Sequence, residues 1–293
     1  SNGVKWILLH EAWSIIQNYG LAENETEIIQ LINEFHKNNI KVLVYFGYEY
    51  STLAPDWYEK ASEYLIVNVD GEYTGGWQRK PHQRAFMACY NGGYAKVMQD
   101  RIRYVMDKYG VDGIYTDGTY VPWECANKTH QCGYQDIEGK LHATLPIFAV
   151  REHVKELYDI VHKRGGVIDT HQSSCCLAPT LAFCDSYYDG ENIQSAMQKD
   201  MKFLRLDAFK AEYMGKNLGI PAQFIASTNQ SGFTIEKITS ITLLHDVHPR
   251  ASNITDLKYL STVWNIFSDF GTDSAKWHPY WEENNLVKVL CDE

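Results

Sequence analysis

Acidic and polar residues gather at one end of almost every strand-length apolar run in this chain, and that polarity restricts its fold most. VKWILLHEAW (4–13) ends in His10, Glu11 and Trp13, and KVLVYFGYEYS (41–51) ends in Tyr48, Glu49 and Tyr50. YLIVNVD (64–70) closes on Asp70, VDGIYTDGT (111–119) on Asp117, and GVIDTHQ (166–172) on His171. LAFCDSYYDGE (181–191) ends in Asp189 and Glu191, IPAQFIAS (220–227) follows, and ITLLHDVH (241–248) carries His245 and Asp246. The opposite ends hold mostly glycine, lysine or apolar side chains. A carboxylate at the tip of a buried strand must be hydrogen-bonded, paired or in use.

Amphipathic helix patterns separate these runs at 24–38, 94–109, 146–164 and 258–270. Asn24 and Glu27 are spaced for a capping box, and Gly110 stands where a helix would end. Residues 234–244 fit a helix as well as part of the last strand. Eight strand candidates alternating with helices, with no repeat and no linker, predict an α/β fold, one (β/α)8 TIM barrel. The runs are nearly continuous in apolar character, as parallel strands covered on both faces require. A doubly wound sheet would prefer a glycine-rich first turn, and the first run leads instead into HEAWS. In the barrel, strand C-termini share the face that holds active sites, so the acids above converge there.

The 293 residues, 45% of them hydrophobic, suffice for one large core. With 27 basic and 37 acidic residues the net charge is −10, which argues against a nucleic-acid partner. No apolar segment is long enough to span a bilayer. The chain enters a strand directly after Ser1-Asn2-Gly3 and stops at LVKVLCDE, where a new strand pattern begins. Residues 4–275 are therefore expected to form the barrel and 276–293 to open a following β-rich segment. Flanking domains of a longer chain are expected with them. A secreted or cell-surface location is the matching expectation.

Seven cysteines are too few for a disulfide scaffold. Cys125 and Cys132 with His130 between them match no common zinc spacing, so no metal is assigned; a disulfide or packed thiols is the expectation. Cys89, Cys175-Cys176, Cys184 and Cys291 complete the set. No G-x-S-x-G elbow, P-loop or GxGxxG is present, which leaves nucleophilic serine, phosphate and dinucleotide chemistry without support. No cofactor is implied. Paired carboxylates remain, the requirement of glycoside hydrolysis. Asp117 at strand four and Asp189 or Glu191 at strand six sit two positions apart around a barrel rim, facing across a pocket.

DGIYTDG at strand four and the acid at strand six resemble the barrels of α-galactosidases and α-glucosidases. That resemblance implies an aspartate nucleophile at Asp117 and an acid/base at strand six. The segments CANKTHQCGYQDIEG (125–139), PIFAVRE (146–152) and YYDGE (187–191) are similar to a bacterial family of glycosidase-like barrels grouped near the family 123 hexosaminidases. Those enzymes carry an adjacent Asp-Glu pair for substrate-assisted catalysis, whereas Gly118 follows Asp117 here, so that mechanism does not carry over. The expected function is a retaining glycosidase acting on a carbohydrate substrate. Asp117 would be the nucleophile and Glu191 the acid/base, with Asp189 second. His10, Glu11, Trp13, Tyr48, Glu49, Trp123, His171, His245 and Asp246 are expected to bind substrate. Tyr50, Trp57 and Trp77 are further stacking candidates. The roughly 25 residues after Thr119 exceed an ordinary barrel loop and would shape the pocket. Two other readings fit the residues: a non-catalytic sugar-binding barrel, and a metal-dependent hydrolase built on His10, His171, His245 and His248.

Overall fold

The computed structural model describes residues 3–79, 82–172, 181–191, 193, 204–213, 219–226, 234–251, 257–272 and 274–282. The chain divides into two compact units, Lys5–Ser186 and Tyr187–Glu293, the second including Ser1–Val4.

The first unit begins with β1 (Trp6–Leu9), α1 (Glu25–Lys37) and β2 (Lys41–Phe46). A short antiparallel excursion follows: β3 (Glu49–Ser51), α2 (Trp57–Tyr64), β4 (Gly75–Arg79) and β5 (Gln83–Met87), paired in the order β3-β5-β4. The alternation resumes with α3 (Tyr94–Tyr109) and β6 (Gly113–Asp117). A long loop carries the small hairpin β7 (Tyr134–Gln135) and β8 (Leu141–His142), and α4 (Ile147–His162) and β9 (Val167–His171) complete the unit. β1, β2, β6 and β9 lie side by side, all parallel. Val42 to Phe46 are buried without a break, so β2 is covered on both faces.

The sequence explains the local choices. The Asn24 side chain accepts hydrogen bonds from the backbone N–H groups of Thr26 and Glu27 and its amide donates to the Glu27 carboxylate, so the expected pair caps the helix through side chains. Only Ile32 of the α1 stripe is fully buried, and Leu31 remains exposed. α3 buries Tyr94, Met98, Ile102, Val105 and Met106 on one face and ends on Gly110 in the left-handed conformation. Gly113 has φ +159°, and a Cβ built there would stand 2.0 Å from the Val167 carbonyl oxygen. Only a residue without a Cβ lets β6 and β9 pair at this register.

The second unit holds β10 (Ser186–Asp189), α5 (Leu206–Glu212), β11 (Ala222–Ala226), α6 (Ile235–Leu244), β12 (His248–Ala251) and α7 (Leu257–Phe270). Its strands are also parallel, in the order β10-β11-β12. Among the described residues no helix is long and apolar enough to cross a membrane.

Two expected strands are corrected. The run 64–70 is not a barrel strand: Tyr64 ends α2, and Leu65 and Val67 make isolated antiparallel bridges to Ala88 and Tyr73. Asn68 then turns the chain by accepting from the backbone of Asp70 and Glu72. The run 241–248 is the end of α6 and a turn. Thr234 caps that helix, and Ile235, Ile238, Thr239 and Thr242 form its buried face at helical spacing. β12 starts only at His248. Of the expected segment 276–293, residues 283–293 lie outside the described residues, as do Cys175, Cys176 and Cys291.

Gly113→Ala tests the β6–β9 register. The added methyl meets backbone rather than a movable side chain, so a loss of about 3 kcal/mol or more is expected in urea unfolding at unchanged m-value.

Candidate active site

Asp117 is the last residue of β6, in register with His171 at the end of β9. Its carboxylate accepts on both oxygens: the Tyr45 hydroxyl donates to Oδ2 at 2.9 Å, and His171 Nδ1 lies 2.9 Å from Oδ1. β2 and β9 flank β6, so each neighbouring strand supplies one partner. Burial alone would raise the Asp117 pKa. The hydrogen bond and charge of His171, the Tyr45 hydroxyl and the charge of His10 outweigh it and hold the group below the ordinary aspartate value. The His10 ring lies 4.8 Å from Tyr45 and 6.1 Å from Tyr115.

Gly118 follows at φ +62°, and a Cβ there would fall 2.2 Å from the Tyr48 ring. The Asp-Gly pair therefore ends the strand sharply and leaves room for Tyr48 to lie over the turn. Tyr48 stacks on Trp123 with centroids 5.4 Å apart and meets Trp77 edge-on at 6.1 Å. Trp123 Nε1 donates to the Gly118 carbonyl at 3.1 Å, which ties this aromatic wall to the carboxylate's own turn.

A second charged group surrounds Glu49. Arg79 donates to Glu49 at 2.6 Å and to Glu11 at 2.9 Å. The Asn18 amide donates to the other Glu49 oxygen at 2.9 Å and to its backbone carbonyl at 2.8 Å. Glu49 is 1% exposed, and burial, opposed by Asn18 and Arg79, raises its pKa. Four of the expected binding residues, Glu11, Tyr48, Glu49 and His171, thus belong to these two groups, with His10 and Trp123 beside them.

Other expected residues are corrected. Trp13 is half-buried, packs against Phe46 and Tyr109 and donates to the Tyr45 carbonyl, which points its indole N–H inward. Tyr50 is 1% exposed and stacks on Trp57, which also packs on Phe86. Because 241–248 is not a strand, His245 and Asp246 lie in the turn entering β12, not at a strand C-terminus. His245 packs among Phe209, Tyr280 and Trp281 and bonds the Ile241 carbonyl. Asp246 instead lines an open cleft of about 790 Å³ with Lys210, His248, Trp277 and Trp281, at the strand N-terminal end. Cys125 and Cys132 are free thiols, so no disulfide joins them.

In the second unit, Asp189 closes β10 and is fully buried, while Glu191 is exposed. The Asp189 pKa is pushed up to about 9, first by burial and then by the neighbouring Glu212 carboxyl at the end of α5. Gly190 N donates to Asp189 Oδ1 at 2.6 Å, and the Tyr213 hydroxyl donates to its backbone carbonyl. Sequence reasoning missed Tyr45, Arg79, Asn18 and Glu212. Only Tyr45 left a signal: it shares the face of β2 that β-strand alternation points toward Asp117.

No protein-family model matches the chain, and no curated protein matches it. Solved structures do. A cycloalternan-degrading enzyme from Trueperella pyogenes, in complex with a covalent intermediate, superposes with TM-score 0.58 at 12% identity, over 92% of this chain and 43% of its own. The likeness shows a (β/α)8-barrel fold. An α-galactosidase from Thermus thermophilus matches at TM-score 0.56 and 9% identity, over 89% of this chain and 55% of its own. A trehalose-6-phosphate hydrolase from Bacillus licheniformis matches at 0.54 and 16%, over 78% and 51%. The chain spans about half the length of these structures, and the likeness establishes the TIM-barrel fold without singling out the family 123 hexosaminidases.

Two substitutions separate the charged groups. Arg79→Ala strands a buried Glu49 carboxylate and is expected to cost about 3 kcal/mol in urea unfolding. Glu11→Gln, at the more exposed end of the same guanidinium, should cost about 1 kcal/mol or less. The Asp117 carboxylate, lowered in the folded state, contributes stability that is present above the unfolded value of about 3.9 and lost as pH falls through the folded one. Tyr45→Phe removes one donor and raises the folded-state value, so the acid-dependent loss of stability should be smaller and complete at a higher pH than in the parent.

Proposed function

We propose that this chain is the barrel of a retaining glycoside hydrolase acting on a carbohydrate, with Asp117 as nucleophile. The observation that carries the reading is the Asp117 carboxylate itself. It sits at the C-terminal end of a parallel strand, beside the Tyr48–Trp77–Trp123 aromatic wall, and His171 and Tyr45 keep it anionic. The barrel likeness supports the same class of chemistry at the level of fold.

In this reading Asp117 attacks the anomeric carbon as an oxocarbenium-like transition state develops, and an acid at the end of β10 protonates the leaving oxygen. An acid must hold its proton near neutral pH, which favours Asp189, raised to about 9, over Glu191. Glu212 then serves as a positioning residue that keeps the Asp189 proton in place. Tyr48 and Trp123 offer ring faces to sugar C–H surfaces, and Arg79 with Glu11 offers polar groups for hydroxyls.

A non-catalytic sugar-binding barrel shares every feature except turnover, so the test must be chemical. The metal-dependent alternative has weaker ground: among the described residues, His10, His171, His245 and His248 join no three-ligand cluster.

Mechanism-based labelling with a panel of 2-deoxy-2-fluoroglycosyl fluorides should add one glycosyl group to the peptide bearing Asp117, located by mass spectrometry. With any sugar that is turned over, Asp117→Gly should lower kcat by about 10⁴-fold or more and recover with azide. The azide product should carry inverted anomeric configuration. Labelling of another residue, or turnover that survives Asp117→Gly, would remove Asp117 from the mechanism. The pH profile of kcat/KM should fall on the alkaline side near pH 9, as the Asp189 proton is lost. Asp189→Asn should abolish that limb and spare substrates with good leaving groups. If Glu191→Gln does so instead, the exposed acid is the donor.

A further inference from the structure

Cys89, Cys125, His130 and Cys132 come together in the interior of the first unit. Their donor atoms all lie within 4.8 Å of one another, and all four residues are buried. Cys89 follows β5, while the other three lie on the loop after β6, so two distant segments meet here. We infer that this cluster is a closed, structural Zn²⁺ site with a Cys3His ligand set, separate from the proposed catalytic group.

The spacing of the donors carries the inference. Cys89 Sγ and Cys132 Sγ are 3.8 Å apart. Zn–S bonds of about 2.3 Å at tetrahedral angles place two sulfurs about 3.8 Å from each other, whereas a disulfide needs about 2.05 Å. Cys125 Sγ lies 3.3 Å from His130 Nε2, slightly inside the matching sulfur–nitrogen edge.

The surroundings are those of a metal site. His130 Nδ1 is 2.9 Å from the Glu63 carbonyl oxygen, so Nδ1 carries the proton and Nε2 presents its lone pair to the sulfurs. Three thiolates around a dication leave one surplus negative charge, which N–H donors relieve. The Asn127 backbone N–H points at Cys125 Sγ at 3.4 Å, and the Asn91 amide at Cys132 Sγ at 3.6 Å. Asn91 also donates to the His130 carbonyl at 2.7 Å, fixing the loop that bears the ligands. Soft thiolates with one imidazole in a tetrahedral arrangement select zinc over magnesium or calcium. Four protein ligands and full burial leave no coordination position for a substrate, so the role is structural.

Binding replaces three S–H bonds with Zn–S bonds and releases three protons, with no change of oxidation state. Its effect reaches the aromatic wall. Tyr48 and Trp123 pack against the cluster formed by Ile66, Met87 and these cysteines. The zinc would thus hold the base of the long loop where Trp123 stacks on Tyr48.

Protein purified without chelator should contain about one zinc per chain by elemental mass spectrometry, released in step with titration of its thiols by an organomercurial. Replacing the metal with Co²⁺ should give the intense visible bands of a tetrahedral thiolate site. Cys132→Ser and Cys89→Ser should each cut zinc content below about one tenth per chain. Cys184→Ser, a buried cysteine outside the cluster, should keep it. If the ligand variants do not fold, the wild-type metal content and cobalt spectrum decide alone. Zinc below about one tenth per chain in wild-type protein offered excess Zn²⁺, or a disulfide between two cluster cysteines, overturns the inference. None of these readouts depends on catalysis, so they stand whether or not Asp117 proves to be a nucleophile.

Discussion

A carboxylate placed at the tip of a buried strand needs donors on both sides, and the rest of the first unit is arranged to supply them. Asp117 receives one from β2 through Tyr45 and one near it from β9 through His171. Both depend on register. Because successive residues of a strand face opposite ways, a slip of one position would turn Asp117 away from its partners and leave a charge unmet. Gly113, four residues before Asp117 on the same strand, enforces that register by letting the Val167 backbone approach where any Cβ would collide. Fold and proposed chemistry therefore rest on one alignment of three strands.

The same economy appears at Glu49, a buried residue that belongs to the charged group near the wall of aromatic rings. Its burial is compensated by Asn18 and Arg79, and Arg79 reaches outward to Glu11. The Glu49 carboxylate is met on both oxygens and so held rigidly, since moving one partner uncovers its charge. Such rigidity suits a site that must hold its groups in place before a ligand arrives.

Much of this was legible in the residues. Apolar runs of strand length with acids at one end located β2, β6, β9 and the Asp189 strand, and the Asn24–Glu27 spacing located the start of α1. The α3 stripe was readable because its period is unambiguous. Two runs misled for physical reasons. An apolar stretch such as 64–70 buries equally well as a bridge beside a hairpin, and composition cannot separate the two. The residues at 234–244 fitted helix or strand equally, being rich in β-branched side chains, and buried positions at helical spacing decide for the helix, leaving only the strand reading of 241–248 in error. Arg79 and Glu212 left no trace, because each reaches its partner from an element whose position only the folded chain defines. The cysteine cluster stayed hidden for the same reason: Cys89 lies far upstream of the three other donors.

The loop after β6 has one more consequence. Its base is clamped where Cys125 and Thr144 exchange backbone hydrogen bonds, while its tip, the β7–β8 turn, projects so far that Ile137 is fully exposed. A tip on a fixed base can change length or composition at small entropic cost, since loop closure depends only logarithmically on the number of residues. The segment 136–140 is thus a natural graft point. A peptide tag or fluorophore attachment inserted there would ride on the outside of the domain, and would report on whatever docks nearby without disturbing the strands beneath.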